Sequence, residues 1–241
     1  RSEAVGLVTF VATIWLLGTA VAVRFLLGAD WGPARLIGAL LVATGPTVIT
    51  PILQVVPVRD RVATALETEG IVNDVTAAIM AAVIFKGVTA AESGPEELVR
   101  LFVSKLGTGI LVGLLVAGVL WYLLKHADLS PDNAPRNARL LVLAGALVAY
   151  ATAEPFEAEA GVAAVATAGV VLGNTDVPYR SDISEFKGDV TLIVLSFVFI
   201  TLAALLDFDT LLSLGVGGIG VVVVVALLIR PLLVALATTG G

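Results

Sequence analysis

Three stretches of this chain carry residues able to bind or move a small ion. The first reads Glu67-Thr68-Glu69-Gly70-Ile71-Val72-Asn73-Asp74 and runs straight into an apolar segment. At 1.5 Å per residue, Asp74 falls roughly 15–20 Å into a helix that starts near Arg61, about the middle of a bilayer. An ionisable group at that depth costs several kcal/mol and is a functional candidate by default. Glu67, seven residues earlier, shares almost the same helix face nearer the membrane surface, and Gly70 leaves that face open one turn below Asp74. Together they outline an access path ending at Asp74. The competing reading is a capped helix start with one satisfied buried carboxylate.

The second stretch is Ala43-Thr44-Gly45-Pro46-Thr47, in the middle of another apolar run. Pro46 has no N–H to donate and disfavours helix at Gly45. A helix broken at the midplane presents freed carbonyls and half-helix ends to an ion. The competing reading is an ordinary proline kink. The third stretch is Leu228-Ile229-Arg230-Pro231. An unpaired Arg there is costly, and Glu69 at a similar depth is the economical partner; the alternative is an Arg that snorkels to the inner headgroups.

These residues need elements that hold them in lipid. Hydrophobic residues make up 58% of the 241 and charged residues 14%, against about 25% charged in a soluble domain. The mean hydropathy of +1.02 calls for a solvent other than water. Runs such as Val221 to Val225 do not alternate in polarity, which argues for helices rather than barrel strands. The expected architecture is an all-α, polytopic transmembrane bundle with a helix broken at mid-membrane. Eight membrane helices are predicted, at 4–28, 33–56, 64–86, 98–124, 138–153, 159–174, 188–206 and 210–238, the fifth and sixth short for a full span. They form a single transporter domain over residues 1–241.

Basic residues such as Arg61, Lys125, Arg139, Arg180 and Lys187 gather on one side. Acids such as Glu97, Glu154, Glu157 and Glu159 gather on the other, with Lys105 placed near a helix end there. The first side is expected to face the cytoplasm, with the amino end inside. The start at Arg1 and the finish just after an apolar run read as cut ends. Trp15 reads as packing or an interfacial belt residue, and the glycines of 215–220 as close-packing signals between helices.

Several classes fall away. There is no Cys and a single His, His126, which leaves little for zinc or haem. The net charge of −6 disfavours nucleic acid as a partner. No nucleophile–base pair points to an enzyme. No cofactor is expected, and the partner is the lipid bilayer.

The chain resembles the monovalent cation/proton antiporters of the sodium/proton exchanger family, in its prokaryotic branch. Glu69-Gly70-Ile71-Val72-Asn73-Asp74 resembles that family's Glu-Ser-x-x-Asn-Asp signature, and Ala43-Thr44-Gly45-Pro46 its broken-helix Thr-Asp-Pro. Gly161 to Asn174, Phe186 to Asp207, and Ile229-Arg230 resemble its later helices. The resemblance implies part of an inverted-repeat transporter fold. In it Asp74 alternately binds a monovalent cation and a proton, as the one metal ligand of its kind. Asn73 and Thr44 would help to hold the ion, and Glu69 and Arg230 would form a structural ion pair. An Asn-Asp signature implies electroneutral exchange, and the family implies a homodimer. Gly45 and Gly70 depart from the pattern by removing two side-chain oxygens, so sodium, potassium and lithium all stay open. The family's members are longer, by about two helices at each end. The alternatives are potassium efflux or channel-like transport on the same fold, or a non-transporting scaffold or sensor.

Overall fold

The computed structural model describes residues 2–43, 60–89, 95–126 and 133–233, with side chains for 12–43, Gly70, 73–89, 96–126 and 133–233. These residues form helices α1 (Ser2–Leu27), α2 (Trp31–Val42), α3 (Asp60–Thr89), α4 (Pro95–His126), α5 (Ala134–Ala153), α6 (Ala160–Asn174), α7 (Arg180–Leu205), α8 (Phe208–Ser213) and α9 (Gly215–Val224). A π-helical turn, Val225–Ile229, follows α9. No strand occurs among the described residues. By length and composition, three helical stretches are long and apolar enough to cross a membrane: Glu96–His126, Arg180–Leu205 and Gly215–Leu233.

Local chemistry explains most of the boundaries. Pro95 opens α4, where its missing N–H costs nothing. Glu96 and Glu97 lie in the first turn and Lys125 and His126 in the last, each opposing the helix dipole. The apolar run predicted as 33–56 starts at Trp31 and leaves helical geometry after Val42, with Ala43 extended at φ −60°, ψ 108°. Val42 is the residue whose carbonyl would accept from residue 46. Proline has no N–H to give at that position, and in a continued helix its ring would collide with that carbonyl.

The run predicted as a single helix over 210–238 is corrected by the structure. It is interrupted at Leu214, where Gly215 takes φ +52°, a conformation that disfavours any side chain. Farther on, Pro231 deprives the Leu227 carbonyl of its donor, and the helix widens into the π turn over that stretch.

Close packing divides the chain into two compact units: residues 1–103 with 212–241, and residues 104–211. In the first unit, α1, α2 and α3 meet through small side chains. Ala12, Leu16, Ala39, Val42, Ala77 and Ala81 form one buried cluster, capped by Trp15, Leu36, Met80 and Ile84. A second cluster joins Ala20 and Val23 of α1 to Ala34 of α2 and Val221 of α9. The α1–α9 crossing is tight. A Cβ at Gly217 would sit 2.5 Å from the Leu26 carbonyl oxygen, which is the packing role the glycine run suggested.

In the second unit, α5 and α6 form an antiparallel pair around Ala149, Ala153, Ala160 and Ala164, with Val112 and Val116 of α4 against them. The Glu154 carboxylate accepts from the Glu159 and Gly161 amides at 2.9 and 3.2 Å, satisfying the open start of α6. Lys105, expected near a helix end, is the eleventh residue of α4. It is buried, and its Nζ donates to the Ala158 carbonyl at 2.6 Å and to Glu159 Oε2 at 2.5 Å. Ser104 Oγ donates to Glu157 Oε1 beside it, at 2.6 Å. Helix α7 has no buried residue. Just beyond it, the Thr210 hydroxyl and the Asp209 amide donate to the Asp207 carboxylate and hold it below the usual carboxylate range.

Replacing Gly217 by Ala must push α9 off the α1 backbone. The expected cost is about 1–3 kcal/mol, whereas Gly118→Ala, whose new Cβ would meet nothing within 4 Å, should leave stability unchanged or slightly raised. Thermal unfolding of the two variants in detergent compares them, and equal melting temperatures would contradict the close approach.

Candidate ion site

Helix α3 presents Gly70, Asn73, Ala77 and Ala81 on one buried face, and Ile79 and Val83 are buried beside it. The spacing of three and four residues is that of one helical stripe. Asp74 borders the stripe, one turn before Ala77. Its Oδ1 atom is buried and receives no hydrogen bond from a described residue. Asn73 is also buried, and the Thr76 hydroxyl donates to its backbone oxygen at 3.1 Å.

The same cluster that holds Ala77 and Ala81 holds Val42, the last helical residue of α2. The end of α2 therefore packs against the stretch of α3 that follows Asp74. A helix C-terminus carries carbonyls without intrahelical donors and partial negative charge, which favours a cation. A desolvated carboxylate and a helix C-terminus on adjoining elements are the kind of oxygen-bearing groups on which a cation site draws. Among the described residues no cluster of three or more His, Cys, Asp or Glu is present.

Of the other expected site residues, Thr44 lies outside the described residues, as do the side chains of Glu67 and Glu69. Both glutamates occupy α3 positions N-terminal to Asp74. Arg230 follows the π turn, and its guanidinium carbon lies 5.8 Å from the centre of the Trp15 ring. It makes no ion pair with a described carboxylate. Trp15 thus does more than the packing role read for it: it packs against the α1–α2–α3 cluster and its ring also receives a cation. The indole Nε1 and the Thr19 hydroxyl, one turn apart on α1, are both buried without a hydrogen bond. The only trace of this in the sequence is two polar-capable side chains at i and i+4 in an apolar helix.

Residues 2–240 match the model of the family described as sodium/hydrogen exchanger, transmembrane. The chain belongs to this family. It is a multi-pass membrane protein.

As a sodium/hydrogen exchanger family member it is 27% identical over 236 residues to the K(+)/H(+) antiporter NhaP2 of Shewanella oneidensis, across 97% of this chain and 40% of that protein. It is 30% identical over 217 residues to Na(+)/H(+) antiporter 1 of Methanocaldococcus jannaschii, across 86% of this chain and 49% of the relative. The chain spans less than half the length of these curated relatives. Its structure matches the electron-microscopy structure of the sodium proton antiporter MjNhaP1 from Methanocaldococcus jannaschii, with TM-score 0.82 and 26% identity. That match covers all of this chain and 58% of the solved one. The all-α exchanger fold with its helix break after Val42 is therefore the fold of this chain.

The contact between Trp15 and Arg230 is testable by itself. A cation over an indole face contributes about 0.5–2 kcal/mol. Trp15→Leu, Arg230→Met and the double variant, melted in detergent, should give a coupling energy in that range. Additive losses would show that the two side chains do not act together.

Proposed function

We propose that this chain carries out monovalent cation/proton antiport across the cell membrane, with cation and proton competing for Asp74. The observation that carries the reading is the buried Asp74 Oδ1 without a donor among the described residues, on a helix packed against the end of α2. A bare carboxylate in low-dielectric surroundings must be neutralised. A proton or a cation can do so, and one group serving both in turn makes the exchange obligatory. The names of the relatives as cation/proton antiporters support this.

In this reading Asn73 helps to shape the site and Thr44 adds an oxygen from the broken helix. Glu67 lies on the approach to Asp74, and Glu69 is the ionic partner of Arg230 beside Trp15. Asn73 leaves Asp74 as the sole ionisable group of the pair, so one proton leaves for each monovalent cation that enters and the exchange is electroneutral. Residues 1–241 act as one transporter domain, in a homodimer, with the amino end in the cytoplasm. Sodium and potassium both stand as substrates, because relatives carry each name. No enzyme chemistry and no cofactor enter the cycle.

The test is proton flux in proteoliposomes of the full-length protein, read with an entrapped pH dye while sodium, potassium and lithium are added in turn. Cation-driven flux is expected, unchanged by an imposed membrane potential, and reduced to background by Asp74→Asn in correctly inserted protein. Undiminished coupled flux in Asp74→Asn would remove Asp74 from the mechanism. Current without saturable coupling would favour the channel-like reading.

A further inference from the structure

The second unit holds a cavity of about 250 Å³ lined by none of the candidate ion-site residues. It opens where the last turns of α4, the middle of α5, the C-terminal half of α6 and the first turns of α7 come together. Its walls are chiefly aliphatic, with Leu124, Val142, Leu172 and Ile183 among them. All of its polar side chains come from α7: Arg180, Ser184 and Lys187. Spacings of four and three residues place these on one helical stripe. Glu185 and Asp189 fall on the opposite side of the same helix, at about 100° per residue.

Among the described residues, no carboxylate neutralises the two cations, Arg180 and Lys187. The acidic neighbours are engaged elsewhere: Asp182 with Arg139 at 2.9 Å and Asp176 with Lys125 at 4.0 Å. The Arg180 guanidinium donates to the Gly173 carbonyl, which holds it against the end of α6 and leaves most of its donors for another acceptor. The α6 wall is recessed. Gly169 and Gly173 both line the cavity, and a Cβ at either would meet nothing within 4 Å. Among the described residues they seat no neighbouring helix and leave the wall recessed.

We propose that this cavity binds the phosphate headgroup of an anionic phospholipid, with Arg180, Ser184 and Lys187 on the phosphate and the first methylenes along the aliphatic wall. Basic pockets between membrane helices recognise acidic headgroups in this way. A neutral lipid would leave both cations unmatched, and free phosphate would leave the aliphatic wall bare. The volume is below the roughly 300–1,000 Å³ of a drug-sized site, so it takes the headgroup end of a lipid rather than the whole molecule.

The test is native mass spectrometry of the full-length protein in detergent with added phosphatidylglycerol, phosphatidylcholine or inorganic phosphate. Two variants probe the two halves of the site. Arg180→Gln with Lys187→Gln removes both charges, and Gly169→Leu fills the recess without changing charge. Phosphatidylglycerol is expected to bind in preference to phosphatidylcholine, and losing both cations should weaken it about 30-fold. Gly169→Leu should weaken it comparably, and millimolar phosphate should not compete. If the charge variant does not survive purification, the Gly169→Leu result decides alone. Equal retention of the two lipids, binding undiminished in the surviving variants, or no lipid bound at all would overturn the proposal. Displacement by inorganic phosphate would make this a free-anion site and overturn it as well. Exchange activity does not enter the readout, so failure of the transport reading and failure of this one are separable.

Discussion

Hydrocarbon offers no hydrogen bonds, so each backbone group and each charge carried into the membrane must find its partner in protein. Proline is the residue that breaks this condition locally, since it leaves a carbonyl four residues back without a donor. The chain uses that effect at two points in its first unit. Val42, four residues before Pro46, is where α2 ends, and Leu227, four residues before Pro231, sits in the π turn that leads to Arg230. One break puts the end of α2 in the same packed cluster as the α3 residues that follow Asp74. The other precedes the guanidinium that lies over Trp15. These two proline-linked irregularities therefore coincide with charged side chains, whereas the break at Gly215 lies in an apolar run.

Holding helices around such points in lipid needs close contact, because lipid tails are as apolar as the side chains they compete with. The cores are accordingly built from alanine and glycine more than from large residues. Ala12, Ala39, Ala77 and Ala81 join α1, α2 and α3, and Ala149, Ala153, Ala160 and Ala164 join α5 and α6. Large apolar side chains such as Phe197, Phe199 and Ile200 of α7 point outward instead. This inverts the arrangement of a water-soluble core, and it follows from the same surface physics with the solvent changed.

That logic decides what could be read from the sequence. The helical class, the placement of Asn73-Asp74 well inside α3 and the interruption near Pro46 follow from composition, rise per residue and proline chemistry, all local properties. The glycine break at Gly215 was hidden because glycine in an apolar run reads equally as a packing residue, and Gly217 two positions later is one. The ring beneath Arg230 was hidden because Trp15 lies at the other end of the chain, and no local pattern pairs them. Lys105 was misread for a different reason. It sits eleven residues into α4, at a depth that allows snorkelling, and its partners in the 157–159 turn become neighbours only once α5 and α6 have paired.

Lys105 and Asp74 show the two ways this chain treats a charge removed from water. Lys105 is enclosed by a carbonyl and a carboxylate at hydrogen-bonding distance, with the turn that supplies them fixed by Glu154. The Lys105 side chain is 7% exposed and that of Glu159 40%, and the pair binds α4 to the α5–α6 turn. Asp74 has the opposite surroundings: Oδ1 is out of water and without a donor among the described residues. A carboxylate satisfied as Lys105 is satisfied would have no reason to take up or release a ligand. The incomplete shell around Asp74 leaves its charge to be neutralised by something that can come and go, which is the condition an exchanging site has to meet.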